Sequence, residues 1–133
     1  SIMKANELMI GDWVYSKSVP SIPLRASGVN NAVVYFKHSC IWDSDEKRYK
    51  RREQFSCVDD SDIESIPLTP EILEKNGLLE GISSEYWMVY SKQDEIWYFH
   101  YIGAFTDVKI GITDVHELQH ALRLCGIEKE IIL

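Results

Sequence analysis

The sequence predicts an α+β fold, in which a lobe of short strands and a linking helix precede an antiparallel sheet and a final helix. Turn residues separate short β-rich runs in the first half, a clear helix start stands at Thr69, and aromatic residues fill paired runs in the second half. With 133 residues and 45% hydrophobic content, the chain suits one domain or two small lobes. We expect a small SH3-like, barrel-like β lobe over residues 1–66 and a second unit over residues 67–133, which can also form one compact domain.

Three runs in the first half are typical of strands. Trp13-Val14-Tyr15 follows a Gly-Asp turn signal, residues 32–42 are rich in Val, Tyr and Phe, and residues 54–58 form the third run. Short strands with little helix between them favour a small curled sheet or barrel.

A segment of mixed charge, residues 43–53, separates the second and third of these runs. It carries five Lys and Arg residues against four Asp and Glu residues. Opposite charges so close together largely cancel the field that would attract a polyanion, so a solvated hairpin tip is the favoured interpretation. The alternative is a small β-barrel that binds nucleic acid through Lys47 to Arg52.

The helix that follows has well-defined ends. Thr69 is a good N-cap, Pro70 suits the first helical position, and Glu71 favours the positive end of the helix dipole. Gly77 can close the helix in a left-handed conformation. We therefore predict a short helix between Thr69 and Gly77.

The second half begins with an aromatic hairpin, residues 86–90 and 96–102. Along the second strand the even-numbered residues from Ile96 to Ile102 point one way, and Trp97, Phe99 and Tyr101 point the other way. Since neither face is plainly polar, we expect both to be covered, one by the final helix and one by the first lobe or a partner. Tyr and Trp are favoured anchors at interfaces, so the interface candidates are Trp87, Tyr90, Trp97, Phe99 and Tyr101.

The last elements are a strand, a helix and a terminal segment. Residues 107–112 alternate in polarity and predict a third, half-buried strand. A helix is predicted from Val115 to Cys125 and ended by Gly126, with Asp114 as its N-cap. Residues 128–133 are predicted as a terminal strand.

The start of this helix carries His116-Glu117-Leu118-Gln119-His120, which matches the H-E-x-x-H pattern of zinc metallopeptidases. In that chemistry His116 and His120 would hold zinc and Glu117 would act as general base. The position of Glu117 three residues after Asp114 also fits a capping box, which gives it a structural role without a metal.

Two further observations oppose the zinc interpretation. The apolar stripe of the helix lies opposite the two imidazoles, so we expect His116 and His120 to face solvent. The third ligand has no recognisable motif, because Arg123 and Gly126 occupy the positions of an extended zinc-binding pattern. We expect no cofactor and no catalytic residue, and keep a zinc-dependent hydrolase as the alternative.

Bulk properties narrow the class of partner. A net charge of −7 argues against nucleic acid as the main partner, and no apolar run reaches the roughly 18–20 residues of a membrane span. The first residues lack a signal-peptide layout, and the three cysteines show no paired spacing. We therefore expect a cytoplasmic protein.

Three separated motifs resemble a family of short, uncharacterised, prophage-associated proteins of gut anaerobic bacteria. They are residues 6–14, residues 66–77 and the closing Val115-His116-Glu117-Leu118-Gln119. The resemblance implies no activity and no cofactor. It implies that His116 and Gln119 are the family feature and tie the helix start to the sheet, whereas Glu117 and His120 vary. On this basis we expect a phage-related accessory protein that binds a protein partner or itself.

Overall fold

The computed structural model describes residues 3–79, 85–103 and 107–133. Within these ranges the chain forms an α+β fold with ten strands, all paired antiparallel, two α-helices and two 3-10 turns. It divides into two compact units, Ser1–Ile66 and Pro67–Leu133. This boundary lies where the sequence changes from β-rich runs to the first helix.

The N-terminal unit contains seven strands in its described residues. A five-stranded sheet has the order β6-β3-β2-β1-β7, and β4 and β5 form a separate hairpin. The strands are β1 (Trp13–Ser16), β2 (Val19–Val29), β3 (Val33–Phe36), β4 (Ser39–Asp43), β5 (Arg48–Arg52), β6 (Ser56–Asp59) and β7 (Ile63–Ser65). The 3-10 turns are Ala5–Glu7 and Asp60–Asp62.

Several strands of this unit differ from the sequence prediction, and β2, β5 and β7 lie outside the three predicted runs. β2 was not among the predicted strands, and its Pro20 and Pro23 are unusual in a strand that is paired on both sides. In the structure its first part pairs with β1 and its last part with β3, so neither proline occupies a register position with a partner on each side. The run at residues 32–42 was predicted as one strand and is split into β3 and β4 at Lys37-His38.

The core of the N-terminal unit is built from inward side chains of its strands. Val14, Val34 and Phe36 are fully buried, and Leu24 and Ile63 are nearly so. Burial of such side chains contributes roughly 1.5–3 kcal/mol each.

The C-terminal unit confirms most of the predicted elements. A three-stranded sheet has the order β10-β9-β8, with one helix before it and one after. The elements are α1 (Pro70–Lys75), β8 (Tyr86–Ser91), β9 (Ile96–Ile102), β10 (Asp107–Ile112) and α2 (Val115–Leu124). Across the described residues, neither helix has the length and apolar character needed to cross a membrane.

The ends of α1 follow the predicted capping chemistry. The Oγ1 of Thr69 accepts a hydrogen bond from the Ile72 amide at 3.2 Å. Gly77 adopts a φ of 68°, which a residue without a Cβ tolerates best, and its amide donates to the Glu74 carbonyl.

The Asn76 side chain binds the C-terminal segment, which does not form a strand. Residues 128–133 were predicted as a strand, and this prediction is wrong. The Ile132 amide donates to Asn76 Oδ1 at 2.8 Å, and Asn76 Nδ2 donates to the Ile132 carbonyl at 2.9 Å. Asn76 Nδ2 also donates to the Ile72 carbonyl. The buried amide thus provides Ile132 with both bonds that a neighbouring strand would supply.

Candidate functional site

The register of the C-terminal sheet sorts its side chains into two faces. Phe99 of β9 lies opposite Met88 of β8 and Ile110 of β10, and residues directly opposite one another share a face. We call this the inner face, because Met88 and Phe99 are almost completely buried there. The other side, which carries Trp87, Tyr98 and their neighbours, is the outer face.

The five predicted interface residues do not form one surface. Tyr90, Trp97, Phe99 and Tyr101 lie on the inner face, and only Trp87 lies on the outer face. Phe99 is fully buried, so it belongs to the core of this unit and cannot act as an exposed anchor. At the end of the inner face, Tyr90 is still exposed and makes an edge-on contact with Trp97 at 5.2 Å between ring centroids.

The outer face is apolar and aromatic but not buried. Val89 retains 45% and Ile102 52% of its accessible surface. Around them lie the half-buried side chains Trp87, Ile96, Tyr98 and His100. Sequence reasoning placed Ile96, Tyr98, His100 and Ile102 on one face but did not name them as interface candidates.

Stacking and polar contacts fix the rings of the outer face. Trp87 and His100 are directly opposite, and their rings stack with centroids 5.3 Å apart and planes 3° apart. Lys109 Nζ lies 4.4 Å from the centroid of the Tyr98 ring, within cation–π range. The Tyr98 hydroxyl donates to Asp94 at 2.6 Å.

The hydrogen bond to Asp94 also affects ionisation. Together with partial desolvation and the nearby Asp94 charge, it raises the pKa of Tyr98 above its usual value. The phenol therefore remains a neutral donor at physiological pH. Its ring is held at a defined place on the outer face.

A close approach explains the glycine in β10. A Cβ built on Gly111 would lie 2.8 Å from Cδ1 of Ile96 and 3.5 Å from Cε1 of Tyr98. Because Cδ1 is the flexible end of the Ile96 side chain, a larger residue at this position would displace that methyl group from its place over β10.

The H-E-x-x-H segment lies at the start of α2, and its acidic residue has a structural partner. Glu117 Oε1 accepts from the Thr113 hydroxyl at 2.7 Å and more weakly from the Thr113 amide at 3.4 Å. Asp114 is the N-cap residue, as predicted, but its side chain accepts from the Thr113 hydroxyl and not from a helix amide. Glu117 therefore reaches back as a capping residue does, to Thr113 and not to Asp114.

The two carboxyl groups at this helix start titrate in opposite directions. Burial is the main cause that raises the pKa of Asp114, and neighbouring Glu117 adds to the effect. Burial alone would also raise the pKa of Glu117, but hydrogen bonds from Thr113 and Asp114 outweigh it and lower this pKa. Its lowered pKa makes Glu117 a weaker proton acceptor than an ordinary glutamate, which does not suit a general base.

The expectation that both imidazoles face solvent is wrong for His116. His116 retains only 6% of its accessible surface, and His120 is half-buried. Gln119 is also buried, so α2 buries a polar side as well as its apolar stripe. The prediction for His116 was wrong because it assumed that only the apolar stripe of α2 would be covered.

The two rings are close enough to consider a metal. Their centroids are 5.7 Å apart at an interplanar angle of 80°. The buried Nδ1 of His116 has no hydrogen-bond partner among the described residues. Nowhere among the residues that the structure describes do three His, Cys, Asp or Glu side chains converge to hold a metal ion. The described residues thus supply two imidazoles without the third protein ligand of a catalytic zinc site.

A cavity of about 340 Å³ opens beside this helix, lined by Ile110, Gly111, Ile112, Glu117, His120, Ala121 and Leu124. Most of its lining is apolar. Glu117 and His120 border it, but His116 is not among the lining residues, so the cavity does not gather the whole motif.

The mixed-charge segment of the N-terminal unit was predicted to be a hairpin tip, and this is true only of residues 44–47, because Arg48–Arg52 form a strand that pairs with β4. Lys50 Nζ lies 2.6 Å from Glu46 and 3.2 Å from Asp43, and Arg48 Nε lies 2.6 Å from Glu46. The hydrogen bonds from Lys50 and Arg48 lower the pKa of Glu46. Two of the five basic side chains are thus neutralised within the hairpin.

Comparisons with protein-family models, curated proteins and solved structures find no match to this chain.

Proposed function

We propose that this is a non-enzymatic, cytoplasmic accessory protein that binds a protein partner through the outer face of its C-terminal sheet. The observation that carries the proposal is the exposed apolar surface formed by Val89 and Ile102, next to the stacked Trp87–His100 pair. Interfaces concentrate their binding energy in such aromatic and apolar anchors, surrounded by polar residues.

Preorganisation favours binding by this face. Trp87 is stacked, and Tyr98 is restrained by Asp94 and Lys109. Ordering a side chain at an interface costs about 0.5–1.5 kcal/mol, so rings that are already fixed retain more of the contact energy.

Charge selects the kind of partner. Residues 67–133 contain eleven Asp and Glu against five Lys and Arg, a net charge of −6. Glu85, Asp94, Glu95 and Asp107 are all exposed at the ends of the three strands. Two copies of such a surface repel each other, whereas a partner with Lys and Arg around an apolar centre is attracted. The proposed partner is therefore a basic protein surface.

For the N-terminal unit we retain the small SH3-like barrel as part of the proposal. The long strand β2 supports it, because it pairs with β1 and β3 in turn and has a register shift between Ala26 and Gly28. Such irregularities bend a strand and help a small sheet to curl.

Site-specific photo-cross-linking tests the proposal. A benzophenone amino acid replaces Val89 in the full chain, produced in its native host, and the matched control carries it at Leu124, another exposed apolar residue. We expect a defined adduct from position 89 only. With the purified partner, Val89→Glu should weaken binding at least about tenfold and Leu124→Glu should not. Equal adducts from both positions, or no effect of Val89→Glu, would contradict the proposal.

Light scattering tests the choice of partner. We expect a monomer at high protein concentration, because the acidic unit repels its own copy. A dimer that Val89→Glu dissociates would replace the basic partner by self-association.

A further inference from the structure

We infer that the N-terminal unit carries a binding site for single-stranded nucleic acid, formed by Arg25, Lys37 and Arg51 together with Trp13 and Trp42. This site is in the other unit from the proposed protein-binding face and is independent of that proposal. Its ligand chemistry is a flexible strand with regularly spaced phosphates and flat, unstacked bases.

The first component is a cationic cavity of about 350 Å³, lined by Ile10, Gly11, Arg25, Ala26, Ser27, Lys37 and His38. Two of these residues are permanent cations, one is a histidine, and none is acidic. A phosphate group in this cavity would meet charge-assisted donors.

The second component is the Trp13 indole, which has two guanidinium groups within cation–π range. Arg25 and Trp13 are register partners, and the Arg25 Cζ lies 5.5 Å from the Trp13 ring centroid. The Arg51 Cζ of the hairpin lies 5.8 Å from the same centroid. Arg25 Nε also donates to the Gly11 carbonyl at 3.0 Å, which fixes this guanidinium at the edge of the cavity.

The third component is an exposed aromatic pair beyond Arg51. Trp42 and Tyr49 are opposite one another in the hairpin, and their rings meet edge-on with centroids 5.1 Å apart. They retain 52% and 44% of their accessible surface. Along the hairpin they share a face with Cys40 and Arg51, since all four occupy alternate register positions.

Cations and aromatic rings therefore alternate across this surface, from the cavity through Trp13 and Arg51 to Trp42. Phosphates suit the cations, and base faces suit the rings, where stacking contributes about 1–3 kcal/mol per base. A duplex hides its base faces within the stack. The total charge of −7 argued against nucleic acid, but most of it belongs to the other unit. Residues 1–66 have nine Lys and Arg against ten Asp and Glu, a net charge of only −1.

Fluorescence anisotropy with a labelled 12-residue oligodeoxythymidine tests the inference on the full chain. We expect binding at 50 mM salt that weakens with a log–log salt slope of about −2, the value for three phosphate contacts by a single strand. Lys37→Gln and Arg51→Gln should each weaken binding about fivefold, and Trp42→Ala about tenfold or more.

Arg48→Gln is the matched control for Arg51→Gln. It removes the same charge from the same strand, but Arg48 is already paired with Glu46, so binding should change less than about twofold. Lys17→Gln is the control for Lys37→Gln, because both lysines are exposed in the same unit. Circular dichroism checks folding, and exposed Lys37 keeps the test valid even where Arg51→Gln disturbs the hairpin.

Three results would overturn the inference. The first is no binding at 50 mM salt. The second is an equal loss with Arg48→Gln and Arg51→Gln, which would indicate a diffuse charge effect. The third is competition by poly-L-glutamate as strong as by the unlabelled oligonucleotide, which would reduce the site to an anion surface for acidic peptides.

Discussion

The outer face of the C-terminal sheet and the surface around Trp13 both expose aromatic rings, but their charged neighbours differ. The rings of the outer face belong to a unit with a net charge of −6, and those around Trp13 are interleaved with Arg25 and Arg51. The first arrangement suits a basic protein and the second suits a phosphate backbone. Charge counted by unit, and not over the whole chain, therefore distinguishes the two classes of partner.

The largest expected effect separates the two faces of the C-terminal sheet. Phe99→Ala should lower the free energy of unfolding by about 3–5 kcal/mol, because Phe99 is fully buried. Trp87→Ala should cost no more than about 1.5 kcal/mol, mainly the lost stacking with His100. Urea denaturation measures both. Partner binding should be weakened more by Trp87→Ala than by Phe99→Ala. Equal losses of stability in the two variants would mean that the outer face is also core.

The second effect measures how much the Asn76 side chain stabilises the C-terminal segment. Asn76→Asp retains an acceptor for the Ile132 amide but removes the donor to the Ile72 and Ile132 carbonyls. We expect a loss of about 2–4 kcal/mol and faster exchange of the Ile132 amide hydrogen. Asn31→Asp is the exposed control and should be nearly neutral. Unchanged protection of the Ile132 amide would show that the Asn76 side chain does not hold the C-terminal segment.

The third prediction tests the independence of the two surfaces. Arg51→Gln should weaken oligonucleotide binding about fivefold and change partner affinity less than about twofold. Trp87→Ala should do the opposite, with a loss of partner affinity of about tenfold. If either variant weakens the binding of both ligands equally, the two surfaces do not bind independently.

A smaller effect concerns the ionisation of Tyr98. Since Asp94 raises the pKa of Tyr98, Asp94→Asn should lower it. A raised folded-state pKa stabilises the protein below the unfolded value of about 10, and this contribution is lost as the pH rises through the folded value. Ultraviolet titration of the tyrosinates, with Tyr98→Phe to assign the signal, measures the shift. Asp107→Asn is the control and should leave this pKa unchanged.

The smallest expected effect is that of zinc. His116 and His120 are adjacent, but the described residues contribute no third ligand, so protein dialysed against zinc and then buffer should retain less than one equivalent. Elemental analysis measures the content. Stoichiometric zinc that is lost in His120→Ala would restore the hydrolase alternative and add a third site to the comparison.

Local elements with strong end signals could be predicted from the sequence. Thr69-Pro70 and Gly77 mark the ends of α1, and the aromatic runs mark the hairpin of β8 and β9. β2 could not be predicted, because its two prolines are compatible with a strand only once its pairing partners are known. The charged β5 is likewise a strand only because β4 pairs with it.

The candidate sites were less predictable. Alternation divided β9 into two faces, but it cannot indicate which face is buried. That depends on which side the rest of the unit covers. Phe99 was predicted as an interface residue, but it is part of the core. His116 is a similar case, because its burial comes from tertiary packing and not from the helix pattern. The cation–aromatic surface joins residues 13, 25 and 51, which no local pattern connects.

The hydrogen bonds between Asn76 and Ile132 have a chemical consequence, because Gly77 follows Asn76 in the sequence. An Asn-Gly pair deamidates when the glycine nitrogen attacks the side-chain carbonyl and expels ammonia. In the fold that amide is bound to the Glu74 carbonyl, and the Asn76 side chain is engaged at both ends. The folded structure therefore slows deamidation at Asn76. Prolonged heating should convert Asn76 to aspartate or isoaspartate and leave molecules that refold to a less stable structure.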